Sequence, residues 1–249
     1  FLLWRLGTWG QVLGTLGILG GYWAWFAYSP ALPVHAQTPS ADVLGGFFAH
    51  WNMHVNPAAR FDTWFLNLFP RTEAFVLNEG GYTTLNFVPS IATMCLGLMA
   101  GRWLRTKRSH VAKVQGLIIG GAVLLALGWS AAEYACPLVK RIWTPSWVLF
   151  SGSIVTLLLA GFYCVVELMR GRWLAWPYAV VGMNSIFVYL ATQLSTGWIK
   201  GTMKQHLGPT IFDGVYGPMI ERGSVLALLW LAFPGPSRCH AVEFFRRYL

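Results

Sequence analysis

Few side chains in this chain can do chemistry, and their spacing narrows what that chemistry is. His50 and His54 stand four apart in His50-Trp51-Asn52-Met53-His54, which puts both imidazoles on one face if the segment is helical. Zinc chemistry needs a third ligand or a carboxylate, and none is nearby, so no metal is assigned and the pair reads as surface or interfacial histidines. Asn184 carries its amide deep in an apolar run. It must either bond a neighbouring helix or line a substrate or cofactor pocket. Glu79 precedes Gly80 and Gly81 at the mouth of an apolar stretch, where it could cap a helix start or touch a polar substrate. Lys140 and Arg141 border the next but one, placed to snorkel to headgroups or to bind an anionic group. No nucleophile–base pair, phosphate loop or paired carboxylates stand out. The four cysteines have no zinc or redox spacing.

The elements that must position these residues are membrane helices. Hydrophobic residues are 55% of the chain and charged residues 11%, against roughly 25% charged in a soluble domain. Five uncharged stretches lie between Arg5 and His35, Glu79 and Arg102, Lys113 and Glu133, Arg141 and Glu167, and Arg172 and Lys200. Each meets or nearly meets the roughly 20 apolar residues needed to cross a bilayer. A sixth, Ser224 to Phe233, is shorter. The fold class is all-α, a polytopic transmembrane bundle of about six helices, with residues 1–249 as one membrane domain.

The +9 formal charge follows the same topology. With the N-terminus inside, one side holds eleven Lys and Arg against two Glu, and the other holds seven against seven acids. Positive-inside bias then puts both termini of the chain in the cytoplasm and makes Arg102–Lys113 an inner loop. The excess charge is a topology signal with attraction to anionic lipid, not a nucleic-acid surface. Trp4, Trp9, Trp103, Trp129, Trp143, Trp147, Trp173, Trp176 and Trp198 cluster near the ends of the runs, as headgroup-level anchors do.

Along the chain, a first helix covers about Thr8–Ser29. Its pairs Gly10/Gly14 and Gly17/Gly21 offer a stripe for close packing, and Pro30 ends it. Residues 30–81 form an extracytoplasmic segment, too apolar for a disordered linker, with an interfacial helix over Ala58–Leu68. Helices follow over Thr83–Leu104, Val114–Ala132 and Ser146–Met169, the last capped by Thr144 or Ser146 with Pro145 in its first turn. A fifth covers Pro177–Trp198, interrupted at Gly182–Ser185. An outer loop, Lys200–Ile220, then leads to the sixth helix and Pro234-Gly235-Pro236. The opening FLLWRLG shows no charged leader region, so the chain reads as the C-terminal part of a longer protein.

Three ordered blocks carry a resemblance. Asn78-Glu79-Gly80-Gly81, with Ser90-Ile91 and Leu96-Gly97-Leu98-Met99-Ala100-Gly101, resembles a "DPEG…L-G-x-x-A-G" block. Pro137 to Leu149 resembles "P-I-N-K-x-L-W-T-x-S-[FYW]-V-L", and Gly182 to Tyr189 resembles "G-x-N-[SA]-[IL]-x-V-Y". Together they are similar to the heparan-alpha-glucosaminide N-acetyltransferase family and its bacterial relatives, over about Gly20 to Tyr189 and its C-terminal half only. The resemblance implies an enzyme of the bacterial inner membrane that takes acetyl from cytoplasmic acetyl-CoA, its co-substrate, to an amino sugar on the far side. The family's catalytic histidine would lie upstream of residue 1, so no catalytic residue is named in this chain. Asn184, Trp143, Ser146 and Glu79 would shape the pocket, with Arg102, Arg105 and Arg170 as basic groups on the CoA side. The sequence departs from the blocks at Leu77, Asn78 and Val139, and at the Pro234-Gly235-Pro236 end. The competing reading is a non-catalytic accessory subunit of a larger membrane complex, with lipid and a homodimer or larger assembly as partners. A transporter is the weakest, since no intramembrane carboxylate is visible.

Overall fold

A computed structural model describes residues 5–33, 43–171 and 185–208, with positions 182, 210, 217, 219 and 223. Among them every regular element is helical: α1 Thr8–Tyr28, α2 Pro57–Leu66, α3 Phe87–Leu104, α4 His110–Tyr134, α5 Pro145–Tyr163 and α6 Ser185–Leu207. Short 3₁₀ turns, Gly46–Trp51 and Thr84–Asn86, precede α2 and α3, and a π turn, Cys164–Leu168, follows α5. Asn184 and the sixth expected helix lie outside the described residues. The chain divides into two compact units, one ending at Cys164 and one beginning at Val165.

Among the described residues, three helices are long and apolar enough to cross a membrane: Thr84–Leu104, His110–Tyr134 and Pro145–Leu168, of 21, 25 and 24 residues. They coincide with the second, third and fourth uncharged stretches. Helix α1 has 21 uncharged residues, among them Gln11, Thr15 and five glycines, and is not one of these three. Its Gln11 and Thr15 are buried against the bundle, which is where polar groups at membrane depth belong.

Local chemistry sets the ends. Ser29 and Pro30 stop α1, the Ser29 N–H reaching back to Phe26 O at 3.2 Å. Asn56 caps α2 by accepting from Ala59 N at 3.0 Å, with Pro57 in the first turn. Ser109 caps α4 the same way, from Ala112 N at 3.3 Å. This cap starts α4 at His110, four residues before the expected Val114, and shortens the basic loop. At α5 the expected cap is not made, since Thr144 sits at the N-cap position without a capping bond. In the second unit α6 runs on to Leu207, so Lys200 and Lys204 are helical rather than in the expected outer loop. Ile, Lys, Met and Gln favour helix there. Gly208, at φ +105°, stops it, its N–H bonding Lys204 O at 3.2 Å.

Helices α4 and α5 form the closest pair in the first unit. A Cβ on Gly121 would lie 2.7 Å from Leu157, and one on Gly128 would lie 2.7 Å from the Phe150 backbone nitrogen. The tight packing expected of the α1 stripe is therefore found on α4. At Gly17, Gly20 and Gly21 a Cβ would meet nothing within 4 Å. Two clusters form the core: Leu19, Ala92 and Val148 at mid-bundle, and Tyr22, Phe26, Trp51, Ala58, Cys136 and Ile142 towards one end.

Candidate functional site

That end is built from the C-terminal turns of α1 and α4, the segment 43–83, the start of α3, and the loop Cys136–Thr144. Asparagines organise the segment. The Asn52 amide bonds both backbone groups of Leu44, at 2.7 and 2.9 Å. The Asn67 amide does the same to Phe75, at 2.7 and 2.9 Å. Each side chain mimics a strand partner, so an irregular loop satisfies its backbone without a sheet. Trp51, stacked on Phe26 at 6.0 Å and buried, anchors the segment to α1.

Asp62 is the charged group most deeply placed here, 4% exposed. Both of its carboxylate oxygens accept from Thr84 N, at 3.2 and 2.9 Å, at the helical turn that opens α3. A carboxylate there meets unpaired N–H groups and the positive end of the helix dipole. Glu79, by contrast, caps nothing. It is exposed in a tight turn closed by Gly81 N–H to Asn78 O at 2.8 Å, with Gly81 at φ +68°. Only glycine takes that backbone angle freely, and a Cβ there would strike Met53 at 2.8 Å.

Beside Asp62 the Thr83 hydroxyl lies within reach of the Tyr22 phenol, on which the Asp62 carboxylate also acts. The phenol donates to Ile142 O at 3.0 Å. The Trp23 indole donates to Ala135 O at 2.8 Å, and Asn86 Nδ2 donates to Arg141 O at 2.6 Å. These bonds tie α1 and α3 to the loop after α4. A small cleft of about 10 Å³, room for about one water, opens among His54, Asn56, Asp62, Asn78, Tyr82 and Thr83. Its lining offers a carboxylate, amides, hydroxyls and an imidazole, a set suited to a single hydroxyl or amino group at the volume available.

The loop 136–144 is itself stitched by hydroxyls. Thr144 Oγ1 donates to Pro137 O at 2.8 Å and accepts from Val139 N at 3.1 Å. Ser146 Oγ donates to the same Pro137 carbonyl at 2.9 Å and is fully buried. The Cys136 thiol faces Ser146 Oγ at 3.5 Å, and burial pushes its pKa above the ordinary thiol value. Trp143, at φ +51°, holds its indole against Thr93 Oγ1 at 3.2 Å. Of the sequence-derived pocket residues, Trp143 ends the loop and Ser146 stands in the first turn of α5 beside it, and Glu79 is in a separate exposed turn.

His50 and His54 do not share a helix face. The 3₁₀ turn ends at Trp51 and His54 is left-handed, at φ +67°. Among the described residues no group of three His, Cys, Asp or Glu side chains is placed to hold a metal ion.

The opposite end of the first unit carries the basic loop. Arg102 closes the last turn of α3, and Arg105, Lys107 and Arg108 are exposed in the loop. The Trp103 indole donates to Lys113 O at 2.9 Å while the Arg108 guanidinium lies 4.9 Å over its ring. His110 Nδ1 and the Tyr163 hydroxyl are 2.9 Å apart. Arg170 belongs to the second unit and is exposed at φ +54° just past the π turn.

Sequence reasoning missed Asp62, Tyr22 and the asparagine staples. A lone acid four residues from Ala58 on an otherwise apolar α2 face was the available signal for Asp62.

No protein-family profile matches this chain, and no solved structure matches it significantly. Over 129 residues, 49% of the chain, it is 33% identical to a heparan-alpha-glucosaminide N-acetyltransferase of Homo sapiens. The match takes in 19% of that protein, so the chain spans about a fifth of the length of its curated relative. Across half its length, this helical membrane chain is similar, as a distant homologue, to part of an N-acetyltransferase.

Proposed function

We propose that this chain is part of a transmembrane acyltransferase that takes acetyl from acetyl-CoA at the basic end and delivers it to an amino sugar at the asparagine-rich end. The observation that carries the reading is the joining of residues 78–101 and 137–149, two of the blocks with the resemblance, at one end of the bundle. Asn86 bonds the Arg141 carbonyl at 2.6 Å and Trp143 bonds Thr93 at 3.2 Å. The polar cleft under Asp62 lies on the same side, and Glu79 stands near its rim residue Asn78. In this reading the cleft and the Trp143 loop form the acceptor side. Exposed Arg105, with Arg102, suits the coenzyme phosphates at the other end, separated by the ~37 Å length of the 25-residue α4. In this reading positive-inside bias puts the basic end on the cytoplasmic side, and the membrane is the bacterial inner membrane that the resemblance implies.

Nucleophile and base are not assembled among the described residues of either end. The same fact favours the second reading, an accessory subunit. The test is to express the whole gene in vesicles and supply labelled acetyl-CoA to the face bearing Lys107. Label on enclosed glucosamine is the expected result. No transfer to any amine or hydroxyl sugar removes the transferase reading. The sidedness is checked separately with Lys107→Cys and Lys140→Cys, which should react with an impermeant thiol reagent from opposite compartments.

A further inference from the structure

The first unit holds an apolar groove of about 400 Å³ between α1, α3, α4 and α5. Its walls include Val12 and Leu16 of α1, Leu96 and Met99 of α3, and Gly120 and Leu124 of α4. Helices α3 and α4 are joined by a short loop, yet they splay apart beyond it, and the groove is the resulting wedge. At the loop, the Trp103 ring narrows the wedge, lying where a Cβ on Gly116 would be. Beyond Trp103 the space is not filled by any described residue, and a Cβ on Gly120 would meet nothing within 4 Å.

Along α4 the lining runs from Gly116 to Leu127. Eleven residues at about 1.5 Å each give ~16 Å, close to half of a ~30 Å hydrocarbon core. The groove thus extends one leaflet deep from the basic end. Its wall residue Trp103 carries the Arg108 guanidinium on its ring face, and Lys113, whose backbone carbonyl accepts from the Trp103 indole, precedes the lining residue Gly116 by three on α4, so its side chain leaves from the same helix face. An apolar slot one leaflet deep, with cations at its headgroup level, matches one molecule: a phospholipid with an anionic headgroup.

We infer that one acyl chain of an anionic phospholipid seats in the groove between α1, α3 and α4, with its phosphate held by Arg108 and Lys113. Shape supplies the seat, because the apolar walls take any acyl chain. Charge supplies the selectivity, because a zwitterionic headgroup offers the two cations less. The assignment does not rest on the transferase reading.

The experiment is native mass spectrometry of the full chain released from detergent, titrated with phosphatidylglycerol and with phosphatidylcholine of the same acyl chains. One phosphatidylglycerol per chain should be retained at least tenfold more tightly than phosphatidylcholine. Gly120→Phe, which fills the groove, should lower retention of both lipids at least tenfold, and Leu124→Trp should do the same from the adjoining turn. Arg108→Gln combined with Lys113→Gln should erase the preference and leave phosphatidylcholine retention unchanged. In the unaltered chain, phosphatidylglycerol bearing a diazirine on its acyl tail should label peptides 94–103 and 114–127 above the lipid-facing remainder. Equal retention of the two lipids in the unaltered chain overturns the assignment of the cations. Full retention in a folded Gly120→Phe protein, or labelling spread evenly over the helices, overturns the groove.

Discussion

Two glycines eight residues apart on α4 have opposite surroundings, and their alanine variants should behave accordingly. A Cβ at Gly128 would lie 2.7 Å from Phe150 N and 3.0 Å from Phe150 Cα. Ordinary carbon contacts are about 3.5–4.0 Å, so α4 and α5 would have to part by roughly 0.7–1 Å. The obstacle is backbone, and no rotamer change relieves it. Overpacking of this kind costs ~1–3 kcal/mol, and the rigidity of the neighbour places Gly128→Ala near 3. That is roughly a hundredfold in the unfolding equilibrium. At Gly120 the added methyl meets nothing within 4 Å, so Gly120→Ala should change stability by less than ~0.5 kcal/mol. Helix propensity adds little to either value, because transmembrane helices persist when a bundle comes apart in detergent. Reversible unfolding in mixed micelles with increasing dodecyl sulfate reads both variants in one assay. The reasoning fails if the two alanines are equally costly, or if Gly128→Ala stays within ~0.5 kcal/mol of the unaltered protein.

Asp62→Ala removes both acceptors from the Thr84 amide and should cost ~1–2 kcal/mol, with faster hydrogen exchange at Thr84; unchanged protection there would contradict the capping role. Tyr22→Phe deletes the bond to Ile142 O and should cost ~1 kcal/mol in the same unfolding assay, whereas no loss would mean the phenol's tie to the loop is dispensable. In a variant keeping Cys136 as its one cysteine, the folded protein should resist alkylation between pH 7 and 9 and react fully on unfolding, since the thiol is buried and its pKa raised. The folded chain holds that proton when the unfolded chain loses it, near pH ~8.5, so stability should decline above that pH; a rise there would reverse the sign of the argument.

Membrane spans, their order and the segregation of basic residues into one loop were legible in the residues themselves. Each follows from chain length, apolarity and charge, quantities that need no neighbour. Pro30 likewise marked the end of α1 by local chemistry, whereas the Asn56 and Ser109 caps, equally local, were not read, and α4 begins four residues earlier than expected. The roles of Asp62, Tyr22 and Asn67 were not legible, because their partners Thr84, Ile142 and Phe75 lie 22, 120 and 8 residues away. Glycine spacing shows the limit most plainly. The four-residue pairs on α1 looked like the packing stripe, yet a Cβ at Gly17 or Gly21 would meet nothing within 4 Å, whereas at Gly121 and Gly128 on α4 it would strike the neighbouring helix. Spacing tells which glycines share a face, and only the fold tells whether another helix stands opposite that face. The residues alone therefore determined that this chain crosses lipid repeatedly and in which order its helices follow. Which polar groups converge at one end, and where a leaflet-deep groove stays open, was decided by packing between segments far apart in the chain, through contacts that local sequence does not encode.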